Sequence, residues 1–301
     1  MKKLTELCAE GRTLIGEGAM GTMLSAAGLA GKCPEAGCLD APEKVKAIAE
    51  AYIEAGSLLV TTNTFGGTTI KLGECGPEYA EKADEINTAA VKLAKEAAGG
   101  KALVGGDIGS TGHLAKEEYG DIPQDDMYAA FSRQAKTLAL AGADYIIIET
   151  MTSIMEAQAA IKAAKETGLP VICTFAFDLN KKGQFRTFMG VGPETAAEIS
   201  LEAGADIVGA NCGKDTTIEH MAEIARIIRE LTDKPILINS NAGAPILKDG
   251  AITYIETPEK MAESVPALIE AGANIIGGCC GTTPAHIKAM AKAAEAFWAG
   301  R

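Results

Sequence analysis

Three of the eight cysteines in this chain of 301 residues stand where apolar runs end. Cys279 and Cys280 are adjacent, inside Gly277-Gly278-Cys279-Cys280-Gly281-Thr282-Thr283-Pro284 and just after Asn274-Ile275-Ile276. Cys212 follows Ile207-Val208-Gly209-Ala210-Asn211. None of these pairs has the CxxC spacing of a zinc knuckle. If the two run ends converge, three thiols make a soft anionic pocket suited to zinc. Three protein ligands leave a fourth zinc position open for a reacting molecule, the arrangement of catalytic rather than structural sites. The competing reading is a set of buried thiols or a vicinal redox pair at Cys279-Cys280. The other five, Cys8, Cys33, Cys38, Cys75 and Cys173, fall in helices, loops or a strand interior, where a lone cysteine acts as a small buried hydrophobe.

The elements that must position these thiols alternate along the chain. Residues 13–16, 58–62, 102–105, 145–148, 171–175, 207–210, 235–238 and 274–276 are short, nearly continuous apolar runs, the pattern of strands buried on both faces. Between them lie stretches rich in Ala, Glu and Lys with helical periodicity, such as 43–55, 155–167 and 219–231. Gly56, Gly142, Gly204 and Gly272 each follow Ala and precede an even-numbered strand, well placed to cap a helix and turn the chain. Eight strand-then-helix units predict an α/β fold, a single-domain (β/α)₈ TIM barrel over residues 1–301. Active sites in that fold lie at the C-terminal ends of the strands. The residues standing there are Glu17, Asn63, Asp107, Glu149, Asp178, Cys212, Asn239 with Asn241, and Cys279 with Cys280.

Composition sets the outer bounds. A net charge of −12 repels phosphate backbones and anionic membranes, which argues against nucleic-acid and membrane partners. Hydrophobic residues make up 47% of the chain, enough for a large core, yet the apolar runs fall short of membrane-spanning length. The start, Met1-Lys2-Lys3-Leu4-Thr5-Glu6, does not read as a signal peptide, so the cysteines are expected to be reduced thiols in a cytoplasm. His113 follows strand three and could border the site, whereas His220 and His286 sit on helices, where capping or solvent-facing roles are expected. The polar, acidic loop 119–126 suits a lid or docking surface, and Trp298 suits a helix packed on the barrel.

Several motifs together carry a resemblance. Gly18-Ala19-Met20-Gly21-Thr22, Thr62-Asn63-Thr64-Phe65-Gly66, Gly106-Asp107-Ile108-Gly109, Glu149-Thr150, Asn211-Cys212, Asn241-Ala242-Gly243 and the Gly-Gly-Cys-Cys-Gly-Thr-Thr-Pro run resemble the homocysteine S-methyltransferase family. The likeness is greatest to the homocysteine-binding domain of the cobalamin-dependent methionine synthases, and it covers nearly the whole chain from about residue 12. It implies that Cys212, Cys279 and Cys280 are zinc ligands and that Glu149, with the segment at Glu17, holds the substrate amino group. Asn63, Asp107 and Asn211 are further candidates for the substrate shell.

The chemistry of such a ligand set can be stated from the residues. Zn²⁺ with three thiolates carries a net charge of −1, and its open position would take a substrate thiol whose free pKa lies near 8.5. Coordination strips the thiol proton, and the anionic ligand set keeps that sulfur able to attack a methyl group. The resemblance has departures: Glu17 stands where the family usually has Asp, Gly213 where a Ser is usual, and Ser240 where a Pro is usual. Homocysteine is therefore the leading acceptor, with another thiol, or a donor such as a betaine or other methylated small molecule, as the alternative. The chain carries no Asp-x-His-x-x-Gly motif, so methylcobalamin is expected only through a separate corrinoid protein. Gly281 matches the cobalamin-linked branch of the family. Less in keeping with the motifs is a non-catalytic or redox thiol barrel.

Overall fold

The computed structural model describes residues 2–29, 31–248 and 251–301. Its eight barrel strands are β1 (Leu14–Ile15), β2 (Leu59–Thr61), β3 (Leu103–Ile108), β4 (Tyr145–Met151), β5 (Val171–Phe175), β6 (Ile207–Asn211), β7 (Ile236–Ser240) and β8 (Ile275–Gly278). All seven neighbouring pairs are parallel, and β1 lies beside β8. Between β1 and β2 the ring is drawn together by Leu58 N–H on Ile15 O at 2.8 Å and by the Ser57 hydroxyl on Gly16 O at 3.0 Å. The predicted (β/α)₈ barrel is thus the observed one.

Strand residues alternate between two cores, as a two-residue period requires. Leu59, Leu103, Ile172, Ile207, Leu237 and Ile275 point into the barrel, where Leu4 and Cys8 of the short helix Leu4–Cys8 pack against them. Val60, Val104, Ile146, Val208, Ile238 and Ile276 point outward and bury themselves under the surrounding helices. The helices Pro42–Glu54, Ile154–Lys165 and Ile218–Arg229 realise the predicted periodic stretches within a residue or two. Gly56, Gly142, Gly204 and Gly272 have φ of 109°, 105°, 106° and 96°, the left-handed region that ends a helix cleanly. Trp298, on the last helix Pro284–Ala299, donates from Nε1 to Thr13 Oγ1 at 3.2 Å and fastens that helix beside β1. Among the described residues, no helix is long and apolar enough to cross a membrane.

Small residues inside the sheet set how closely strands approach. A Cβ on Gly209 of β6 would lie 1.8 Å from the Leu237 carbonyl oxygen of β7. Gly204, by contrast, is constrained only by its φ, since a Cβ there would meet Lys165 Cγ at 3.4 Å. Gly204→Ala is therefore expected to cost about 1–2 kcal/mol, the penalty for a left-handed non-glycine residue. Gly209→Ala is expected to exceed the roughly 1–3 kcal/mol of ordinary overpacking. Urea denaturation of both variants checks this, and equal midpoints would contradict the β6–β7 approach.

Candidate metal and substrate site

β7 is the spacer that brings the two cysteine-bearing strand ends together. Cys212 N–H donates to Asn239 O at 3.1 Å, and Cys279 N–H donates to Ser240 O at 2.7 Å. The Cys212 and Cys280 sulfurs are 3.9 Å apart, and all three Sγ atoms lie within 4.8 Å of one another. Tetrahedral zinc with Zn–S near 2.3 Å requires sulfurs about 3.8 Å apart, so this spacing suits one ion with little rearrangement. Glycines make the convergence possible. A Cβ on Gly277 would meet Asn239 Oδ1 at 2.5 Å and Glu17 O at 2.8 Å, and one on Gly278 would meet Thr282 Oγ1 at 2.3 Å. Cys280 is held far below its ordinary thiol pKa because Cys212 and Cys279 both donate to its sulfur. Cys279 is correspondingly pushed up by the protons it shares with those neighbours. A divalent cation would replace those shared protons.

The thiols sit at the head of a cavity of about 310 Å³. Its lining includes Glu17, Glu35, Asn63, Asp107, Glu149 and Asn239, with Leu59, Tyr145, Ile147, Leu237 and Ile275 as an apolar floor. Among the described residues the lining holds four carboxyl groups and no Lys, Arg or His. Glu17 explains its extra methylene by position: its Oε1 accepts from Thr61 N–H at 2.8 Å and from the Thr61 hydroxyl, bridging the β1–β2 seam. Its Oε2 has no partner. Asp107 has its backbone pinned, N–H to Thr62 Oγ1 at 3.0 Å and C=O to Thr64 Oγ1 at 2.7 Å, while its Oδ1 is unpaired. Asn239 Oδ1 is unpaired as well. Buried acceptors without donors are costly, so a ligand rich in N–H donors is what this lining fits.

Glu149 reaches the cavity through a distortion in β4. The register of β4 against β5 shifts between Ile148 and Met151, and Thr150 takes φ 61°, a rare conformation for a β-branched residue. Asn211 holds that kink, accepting from Thr150 N–H at 2.9 Å and donating to Thr150 Oγ1 at 2.7 Å. Asn211 is fully buried and is not among the residues that line the cavity, with Nδ2 3.8 Å from Cys279 Sγ. Asn63 does line the cavity, but its Nδ2 is engaged with Pro34 O at 2.8 Å. The structure therefore brings Glu17, Asn63, Asp107 and Glu149 to one cavity with the three cysteines and commits the Asn211 side chain to Thr150 and Thr174. Glu35, absent from the sequence reading, joins the lining and accepts from Gly66 N–H at 2.8 Å. It lies in the single 3-10 turn Pro34–Ala36, too short for a periodic pattern to signal burial.

Other residues singled out by sequence lie elsewhere. His113 is held between Asp121 at 2.8 Å and Glu74 at 2.9 Å and does not line the cavity. His220 and His286 cap their helices, each Nδ1 taking the N–H of a preceding threonine at 3.2 Å. Asp178 has moved into a small hairpin beyond β5, where it accepts from Lys214 N–H at 2.5 Å and steadies the loop after Cys212. Gly213 has φ 93°, and a Cβ there would lie 2.4 Å from Phe177 O, so the backbone of this chain excludes a serine. Neither Gly213 nor Ser240 lines the cavity, which leaves Glu17 as the departure that touches it. In the loop 119–126, Tyr119 is fully exposed and outside the lining. Among the other five cysteines, Cys75 is half-buried and the rest are buried, and all five are free thiols.

Comparison with known proteins places this site in context. The profile of the family described as Homocysteine S-methyltransferase matches residues 14–294. Methionine synthase of Mycobacterium tuberculosis is 30% identical over 310 residues, covering 94% of this chain and 24% of its own length. Methionine synthase of Mycobacterium leprae is 30% identical over 301 residues with the same coverage, 94% and 24%. The chain thus spans about a quarter of the length of these curated relatives. The metallated form of the homocysteine methyltransferase MmuM from Escherichia coli superimposes with a TM-score of 0.78 at 23% identity, over 96% of this chain and 99% of that one. At that identity the likeness speaks for the fold.

Burial, more than any neighbour, raises the cavity acids: Glu17 to about 8, Glu149 to about 7 with help from Cys280, and Asp107 well above its ordinary value. A carboxyl whose folded pKa exceeds its unfolded value stabilises fully below the unfolded pKa and loses that stability as pH rises through the folded one. For Glu17 the window runs from 4.5 to about 8. Each such group contributes a slope of up to about 1.4 kcal/mol per pH unit there. Urea midpoints of the metal-free protein are therefore expected to fall from pH 5 to pH 8, and Glu17→Gln to flatten the slope. An unchanged slope in Glu17→Gln would contradict the protonated, buried carboxyl.

Proposed function

The chain belongs to the homocysteine S-methyltransferase family, and on that footing we propose that it transfers a methyl group to the sulfur of homocysteine, giving methionine. In this reading Cys212, Cys279 and Cys280 hold a zinc ion at the head of the cavity. The observation that carries it is the meeting of three sulfurs within 4.8 Å with a cavity of unpaired carboxyl oxygens and no basic side chain. Zinc bound there would supply the Lewis acidity that keeps an alkyl thiol deprotonated at neutral pH.

The protein's own residues do the rest. The three cysteine thiolates place more negative than positive charge around the substrate sulfur, which preserves its nucleophilicity. Glu149 and the free Oε2 of Glu17 face the substrate ammonium, whose charge would draw these raised carboxyls back to the ionised form. Backbone amides at Met20 and Gly21, which line the same cavity at the start of a helix, suit the substrate carboxylate, whereas the Ala19 N–H is held by the Thr282 hydroxyl at 3.0 Å. The apolar floor excludes water from the space beneath the sulfur. As donor we propose a methylcorrinoid carried by a separate protein or domain that meets the barrel mouth. The methionine synthases matched here are about four times as long as this chain, which supports such an arrangement.

Incubating the metal-loaded protein with homocysteine and, in turn, methylcobalamin, S-methylmethionine and a betaine tests the reading. Methionine is expected with methylcobalamin above the other donors. Cys279→Ala is expected to lose bound zinc and turnover together. Glu149→Gln is expected to raise KM for homocysteine by roughly 10–100-fold, the cost of losing a charged hydrogen bond. Methylation of other thiols but not homocysteine would reassign the acceptor, and turnover in metal-free Cys279→Ala would overturn the mechanism.

A further inference from the structure

One fully buried side chain touches both ends of the site without lining the cavity. Asn211 closes β6, and its carboxamide uses every hydrogen-bonding position it has. Oδ1 accepts from Thr150 N–H at 2.9 Å and from the Thr174 hydroxyl at 2.7 Å. Nδ2 donates to Thr150 Oγ1 at 2.7 Å and, with its other hydrogen, to Cys279 Sγ at 3.8 Å. A backbone N–H can only donate, so the Thr150 contact fixes which end of the amide is oxygen. The nitrogen must then face Cys279, and it meets a sulfur lone pair there. One side chain thus joins β4, β5, β6 and the residue that follows β8.

The contact with β4 falls on its bulge. Tyr145 and Ile147 point into the barrel, whereas Met151 belongs to the outer core. From Ile148 to Met151 the strand advances three residues while β5 advances two, from Cys173 to Phe175, so one residue is extra. A bulge re-aims side chains, and here the successive residues Glu149 and Thr150 both line the cavity. Thr150 has φ 61°, and Cys212, directly after Asn211, has φ 60°; Tyr119 is the one other such non-glycine residue among those described. Conformations of this kind persist only where the surroundings over-determine them. Asn211 holds Thr150 by two bonds and is covalently joined to Cys212. From this geometry we infer that Asn211 is a positioning residue that couples the two halves of the site. The same carboxamide sets the bulge that presents Glu149 to the cavity and donates to the Cys279 sulfur. This deepens the function proposed above and rests on it, with Glu149 facing the ammonium and the three sulfurs holding the metal. The hydrogen-bond partner of a metal ligand fixes its orientation and tunes its charge. Metal held through Cys279 and substrate held through Glu149 therefore share one brace.

Wild type, Asn211→Asp and Asn211→Ala are loaded with cobalt(II), and the thiolate-to-cobalt charge-transfer band is recorded before and during titration with homocysteine. Asn211→Asp keeps an oxygen for the Thr150 N–H and the Thr174 hydroxyl but turns a second oxygen, in place of an N–H, toward Cys279. We expect one cobalt per chain in that variant and a band moved to lower energy. Asn211→Ala releases the bulge, and its homocysteine affinity is expected to fall roughly 10–100-fold. Because that loss runs through Glu149, Glu149→Gln is expected to cost less than about threefold in the Asn211→Ala background, against roughly tenfold or more alone. Asn211→Ser, still too short to reach β4, replaces Asn211→Ala in this cycle if the latter does not fold. An unmoved band in Asn211→Asp, or losses that multiply in the double variant, would overturn the coupling and leave the zinc reading intact. Wild-type protein that takes up no metal, or takes it up and ignores homocysteine, would overturn the proposed function and this inference together.

Discussion

Everything proposed for this protein depends on the parallel register of β6, β7 and β8. Two backbone bonds, Cys212 N–H to Asn239 O and Cys279 N–H to Ser240 O, fix the cysteine-bearing ends to adjacent carbonyls of one strand. A slip of one residue would send alternate side chains to the opposite face and separate the sulfurs. The register holds because glycines at 209, 277 and 278 let strands and side chains approach where a Cβ would collide. The thiol cluster is thus a property of the barrel wall itself, and no flexible loop has to find it.

The cavity beneath shows how one residue can serve architecture and chemistry. Between β1 and β2 the Glu17 carboxylate takes the Thr61 N–H and bridges the two strands. An aspartate is one methylene shorter, so Glu17 spends its reach on the seam and presents one oxygen to the cavity. Glu17 and Asp107 are buried and Glu149 is half-buried, and without a basic side chain in the lining the site is short of positive charge. A ligand ammonium supplies it, so recognition and relief of that charge imbalance are the same event.

Much of this was legible in the sequence because the signals are local. Apolar runs near strand length, helical periodicity and Ala-Gly caps define each βα unit without reference to the others, and the fold rule that sites lie at strand C-termini then points to Cys212, Cys279 and Cys280. What was not legible depends on contacts between distant segments. Glu35 reaches the cavity from the short 3-10 turn Pro34–Ala36 and is held by Gly66. Asn211 reads as a cavity residue from its place beside Cys212, yet its side chain is taken up by Thr150 and Thr174, where it braces the kink at Thr150. His113 looked like a border of the site and is instead fixed by Glu74 and Asp121.

The central claim is that these three sulfurs hold one zinc whose remaining position accepts the sulfur of homocysteine. Zinc-edge X-ray absorption on the zinc-loaded protein, before and after homocysteine is added, tests it most directly. The account requires one zinc per chain with three sulfur neighbours, rising to four with homocysteine. Three sulfurs that stay three would contradict homocysteine as the acceptor, and a protein that binds no zinc would contradict the centre itself.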